Sequence, residues 1–132
     1  MKTNIIYIGF YNDKANNYPL LPNINSIDID HNQNFNLIKL IHNAVLNNFT
    51  CIPYKGYSSC RICNCCNGSV EYSYYDKPTN TIFKLPEGYF HYVLSHHIKL
   101  NQSLIDLYNN HFVNQHQSFC QSIINLYKKH QP

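Results

Sequence analysis

A chain of 132 residues and 15.5 kDa has the size of one globular domain and leaves little room for a second. Hydrophobic residues make up 44% and charged residues 13%, against a usual charged share of about 25%, which excludes a chain held disordered by its own charge. Ten Lys and Arg against seven Asp and Glu leave a formal charge of +3, and Arg61 is the sole arginine, a surplus too small and too Arg-poor to mark a nucleic-acid binder by itself. Polarity comes instead from 20 Asn, which stand beside 15 Ile and 12 Tyr, a bias toward AT-rich codons.

In chain order, Ile5-Ile6-Tyr7-Ile8-Gly9-Phe10 is β-branched and aromatic, and turn-forming Asn and Asp residues follow it, so an early strand is expected. The same run is too short for a secretory core and has no small-residue cleavage site, and no stretch approaches the roughly 20 apolar residues of a membrane span. A soluble, intracellular protein with no membrane contact is the expectation. Pro19 and Pro22 hold an extended stretch, and the Asn-rich segment 23–36 is the least structured part. From Asn36 to Phe49, Leu37, Ile38, Ile41, Val45 and Phe49 repeat at helical spacing, with Asn34 or Asn36 as the cap. Residues 51–67, with Pro53, Gly56 and a cysteine cluster, read as loop and turn. The segments 71–75 and 81–85 alternate like strands around the turn sequence Asp76-Lys77-Pro78-Thr79-Asn80, which predicts a hairpin. Pro86-Glu87-Gly88 then opens a helix over 89–97. Helical spacing returns over 100–113 and 118–129. The class is α+β: one small domain whose core spans about 51–100, flanked by further helices, with a C-terminal helical segment over about 101–130.

Four of the six cysteines, Cys60, Cys63, Cys65 and Cys66, occupy seven positions, a crowding that in a reducing compartment points to metal ligation rather than a disulfide framework. Cys60-Arg61-Ile62-Cys63 is a C-x2-C step, at which a tight turn lets two thiolates reach one ion. His91 and His96 fall within the H-x3-5-H window of Cys2His2 sites, and the 27 residues between Cys63 and His91 are about what the hairpin would use. Two pairs make one tetrahedron around a structural Zn2+. His97 competes with His96 for the fourth position, since on an ideal helix position 96 lies about 140° and position 97 about 240° around from His91. His96 is preferred because a distorted last turn brings it closer. Cys65 and Cys66 could instead replace the histidines, although four thiolates within seven residues would strain the backbone. Cys51 and Cys120 sit among apolar neighbours and read as core residues, and His111, His116 and His130 as solvated helix residues.

The runs Gly56-Tyr57-Ser58-Ser59-Cys60-Arg61-Ile62-Cys63, Asn67-Gly68-Ser69-Val70-Glu71 and Leu85-Pro86-Glu87-Gly88-Tyr89-Phe90-His91-Tyr92-Val93, with His96, resemble a family of small uncharacterised proteins of bacteria and large DNA viruses. The family pattern is G-[YF]-x-x-C-x-x-C, N-G-x-x-E, then P-x-x-x-x-H-Y-[VI] with a later His. Tyr7-Ile8-Gly9-Phe10 looks like that family's Y-I-G-W start, and the match spans roughly residues 5–108. The resemblance implies a zinc-type site at Cys60, Cys63, His91 and His96 and carries no established activity. For a viral member it also implies a location inside the host cell. The chain departs from the pattern at Cys65-Cys66, where thiols are unusual, and at His97, where Gly is commoner.

A Cys2His2 set fills the tetrahedron, and neither of the two glutamates, Glu71 and Glu87, sits in an H-E-x-x-H arrangement, so zinc catalysis is disfavoured. Glu71 reads as a carboxylate that hydrogen-bonds a metal-bound His or the cysteine turn. The functional expectation is therefore a non-catalytic zinc module, no enzyme, that contacts another protein or its own copy through a Tyr-rich hairpin (Tyr72, Tyr74 and Tyr75, near Tyr54 and Tyr57), although about half of these tyrosines should simply cover the core. Nucleic-acid binding by base stacking on these tyrosines is the alternative. A nuclease of the ββα-metal type comes third, because the strand end Lys84-Leu85-Pro86 lacks the histidine base it needs.

Overall fold

The computed structural model describes residues 2–11 and 21–114. Cys120 and the helix expected over 118–129 lie outside the described residues.

The architecture is α+β. Strands β1 (Asn4–Tyr7), β2 (Thr50–Ser59), β3 (Cys66–Asp76) and β4 (Thr81–Pro86) form one sheet in the order β1-β4-β3-β2, and helices α1 (Phe35–Asn48), α2 (Tyr89–His96) and α3 (Gln102–His111) accompany it. β2, β3 and β4 are antiparallel neighbours, while β1 joins β4 in parallel with Ile5 opposite Ile82 and Tyr7 opposite Lys84. No helix among the described residues is long and apolar enough to cross a membrane.

The hairpin forms where its alternation and turn residues placed it, with Asn80 at the turn in the left-handed region (φ 49°) that Asn tolerates. Helix α1 starts where the side chain of Asn34 accepts the Leu37 N–H, and α3 starts the same way with Asn101 and Leu104. β1 is shorter than the apolar run suggested because Gly9 turns the chain at φ +79°, where an added Cβ would stand 2.4 Å from the Tyr89 ring.

Three expectations fail for identifiable reasons. Residues 51–67 are not all loop and turn: β2 runs through Pro53 and Gly56, β3 begins at Cys66, and the turn is confined to 60–65. β2 is the edge of the sheet, where a proline need not donate into a further ladder, and a register shift between Pro53 and Ser58 absorbs the irregularity. For the same reason Cys51 is exposed rather than a core residue. Pro86 does not open a helix; it is the last residue of β4, opposite Glu71, and Gly88 caps α2 without a side-chain bond.

Two apolar clusters hold the fold. The larger joins Ile38, Ile41 and Val45 of α1, Tyr72, Phe83 and Leu85 of the sheet, Tyr89, Phe90 and Val93 of α2, and Leu104, Leu107 and Tyr108 of α3. The smaller is Ile24, Cys60, Tyr92 and Ile98, with Tyr11 and Ile27 against it. Beside the larger cluster, Asp76 is 4% exposed at the end of β3. One of its oxygens accepts the Thr79 hydroxyl and the other lies 3.0 Å from Nε2 of His111, so His111 is a partner of a buried carboxylate rather than a solvated residue. His111→Ala removes the group facing that buried oxygen and is expected to lower stability by about 1–3 kcal/mol in urea unfolding. A change under about 0.5 kcal/mol, as at an ordinary surface site, would show the pair to be idle.

Candidate metal centre

The centre is assembled from two segments, the Cys60–Cys63 turn between β2 and β3 and the two ends of α2. In the turn, the Cys60 N–H donates to the Cys65 carbonyl (2.8 Å) and the Asn64 N–H to the Cys60 carbonyl (3.0 Å). Asn64 adopts φ 61°, the left-handed conformation that turns the chain back into β3. The amides of Ile62 and Cys63 point at Cys60 Sγ, at 3.4 and 3.5 Å. The C-x2-C spacing gives this knuckle its shape, since two intervening residues allow the amides to converge on the first sulfur.

Across from it, His91 and His96 stand five positions apart on α2, an angular offset that long side chains at the two ends of an eight-residue helix span, and their ring centres are 5.0 Å apart. Nε2 of His96 lies 3.4 Å from Cys60 Sγ, and Nε2 of His91 lies 3.4 Å from Cys63 Sγ. Ligand bonds of about 2.3 Å to sulfur and 2.0–2.1 Å to nitrogen at a tetrahedral angle put S and N about 3.6 Å apart, so both contacts have the length of a tetrahedron's edge. All four donor atoms lie within 4.8 Å of one another, close enough to bind one metal ion.

The surroundings explain why the segments meet. Tyr92, 4% exposed, accepts the backbone N–H of Arg61 on its hydroxyl at 2.7 Å, tying the knuckle to α2 one residue after His91. Cys60 itself is fully buried in the smaller cluster with Tyr92. At the root of the knuckle the Glu87 carboxylate accepts the Ser69 N–H (2.9 Å), and the Ser58 hydroxyl donates to the Asn67 side chain (2.7 Å). That asparagine packs against Gly88 so tightly that an added Cβ would lie 2.4 Å from it, which lets the start of α2 approach β3.

The remaining candidates fall elsewhere. Cys65 and Cys66 are exposed and outside the four-donor group, Cys66 being paired with Ser59 in the sheet. The Cys63 thiol is drawn down to about 7, first by the Cys65 backbone N–H and then by the His96 ring, while the Cys65 thiol is pushed up, first by its hydrogen bond with Cys63. His97 ends α2 in the left-handed conformation (φ 58°) and its ring faces His31 rather than the cluster. Glu71 lies in β3 between Ile52 and Pro86, and among the described residues no hydrogen bond joins its side chain to the cluster. The chain's other glutamate, Glu87, makes the bond to the turn. Tyr92 and Glu87 were not singled out as supports by sequence reasoning; the only signal was the position of each within the H-Y and P-E-G runs that flank the helix start.

No protein-family model matches the chain, and no curated protein or solved structure is significantly similar to it. The site therefore rests on its own geometry.

Outer-shell partners of metal ligands typically change affinity by about 10- to 100-fold when removed. Tyr92→Phe, which deletes the acceptor of the Arg61 N–H, is expected to weaken metal binding by about tenfold without changing the stoichiometry. Competition titration with Co2+ as an optical probe measures this, and an unchanged affinity would assign the hydroxyl to folding alone.

Proposed function

We propose that this chain is a non-catalytic protein-interaction module whose central third is held by one structural Zn2+ on Cys60, Cys63, His91 and His96. The observation that carries the reading is the pair of 3.4 Å S···N edges joining the two segments. Two thiolates and two imidazoles form a borderline-soft, four-coordinate set that suits zinc and leaves no position for substrate. Glu87 is engaged by Ser69, and β4 ends on Leu85-Pro86, which supports neither a hydrolytic base beside the ion nor a ββα-type nuclease. The pattern shared with the resembling bacterial and viral proteins agrees with this set. Thiolate ligation with further free thiols nearby fits a reducing, intracellular compartment.

The contact surface we infer is the edge strand β2 with the knuckle beside it. Tyr57 is 80% exposed, and Ile52 and Ile62 are each 46% exposed. Apolar and aromatic side chains around the unpaired edge of a strand suit a protein partner or a second copy of the chain. Over residues 50–66 the cations are Lys55 and Arg61, few for a surface that holds phosphates.

Elemental analysis of the purified protein is expected to give one zinc per chain, lost in Cys60→Ser and His91→Ala and kept in Cys65→Ser and Cys66→Ser. A full complement in either of the first two variants would reassign the ligands. Chelation is expected to release the backbone amides of 51–100 to hydrogen exchange, since a structural zinc contributes on the order of 10 kcal/mol to folding. Retention on a phosphate-rich column is expected to be weak and flat with salt; a steep fall with ionic strength would favour the nucleic-acid reading.

A further inference from the structure

His97 was a candidate for the zinc set, yet it faces away to a different imidazole. The His31 and His97 rings have centres 4.6 Å apart and planes inclined by 49°. Both are exposed, and both line a cavity of about 190 Å3 together with Asp30 and Gln33.

The backbone holds this pair firmly. Ile29 and Ile98 form a bridge, the Asp30 N–H donates to the His97 carbonyl (2.8 Å), and the Lys99 N–H donates to the Asp28 carbonyl (2.9 Å). Two residues beyond His31, the Gln33 side chain donates to the Ile98 carbonyl (2.8 Å) and accepts the Leu100 N–H (2.6 Å). His31 is thus clamped on both sides to the strand-like segment that His97 begins. His97 takes up the left-handed conformation in order to end α2 there.

Ring spacing limits the angle at which such a pair can chelate. Two imidazoles bound to one ion at about 2.0–2.1 Å place their ring centres about 3.2 Å from it, hence about 5.2 Å apart at a tetrahedral angle and about 4.5 Å apart at a right angle. His91 and His96, at 5.0 Å, match the first value, whereas His31 and His97, at 4.6 Å, match the second. Right-angled imidazole ligands belong to tetragonal and octahedral ions rather than to a tetrahedral one.

We propose that His31 and His97 form a second metal site, sharing no ligand with the Cys2His2 cluster, that takes a divalent nickel or copper ion. Its remaining positions are filled by water, so binding is reversible and open to exchange. This site stands independently of the identity of the ion at the cluster.

The full chain as purified, with its resident metal measured before and after, is titrated with NiCl2 and followed by calorimetry and by paramagnetic broadening of the histidine ring protons. One Ni2+ per chain is expected to add to the resident metal, broadening His31 and His97 before other histidines. His31→Gln, and His97→Asn, which keeps a residue tolerant of the left-handed turn, are each expected to weaken Ni2+ binding at least tenfold while the resident metal stays in place. Affinity within twofold of the wild type in either variant, or uptake of Ni2+ only as resident metal leaves, would overturn the proposal.

Discussion

Two segments separated by 27 residues, Cys60–Cys63 and His91–His96, bring four donor atoms within 4.8 Å of one another, close enough to hold one metal ion, and the rest of the molecule is arranged around that meeting. The β3–β4 hairpin absorbs the intervening chain by running out and back, so that the end of β4 returns to the middle of β3, where Glu71 is opposite Pro86. Closing such a loop costs chain entropy, which the sheet ladder helps to offset. The Arg61–Tyr92 and Ser69–Glu87 hydrogen bonds then fix the last few ångströms.

The division of the interior into two clusters follows from the same arrangement. The larger joins α1, the sheet, α2 and α3, and it orients α2 through Tyr89, Phe90 and Val93. The smaller takes the other side of the same helix, where Tyr92 packs with Cys60, Ile24 and Ile98. Because α2 is only eight residues long and contributes to both clusters, its apolar residues are nearly all committed, and its two histidines of the four-donor group sit half-buried at its ends. A helix with faces occupied in this way has little freedom to rotate, which preorganises both imidazoles toward the sulfurs.

What the molecule leaves outside is also ordered by this framework. The irregular outer strand β2 carries exposed Ile52 and Tyr57, and the knuckle carries Ile62, so apolar surface lies near the proposed zinc. Where α2 stops, the left-handed turn at His97 sends the chain into the bridge with Ile29, and that turn separates two adjacent histidines into different environments.

The local chemistry was legible in the chain itself. The C-x2-C step, the paired histidines, the hairpin and the caps of α1 and α3 each depend on residues close in sequence, whose spacing and hydrogen-bonding capacity act over one or two turns. The four residues now found together were therefore nameable beforehand. The sequence left open whether Cys65, Cys66 or His97 would stand in, because spacing alone does not say which way a helix end or a strand start will point. It also misread β2, since Pro53 and Gly56 break a strand in isolation but are tolerated at a sheet edge, and edge position is a property of the whole sheet. The burial of Asp76 beside His111, the support of the knuckle by Tyr92 and the meeting of His31 with His97 join positions 31 to 66 residues apart. Such contacts are set by how helices and sheet pack, and no local pattern of residues encodes them.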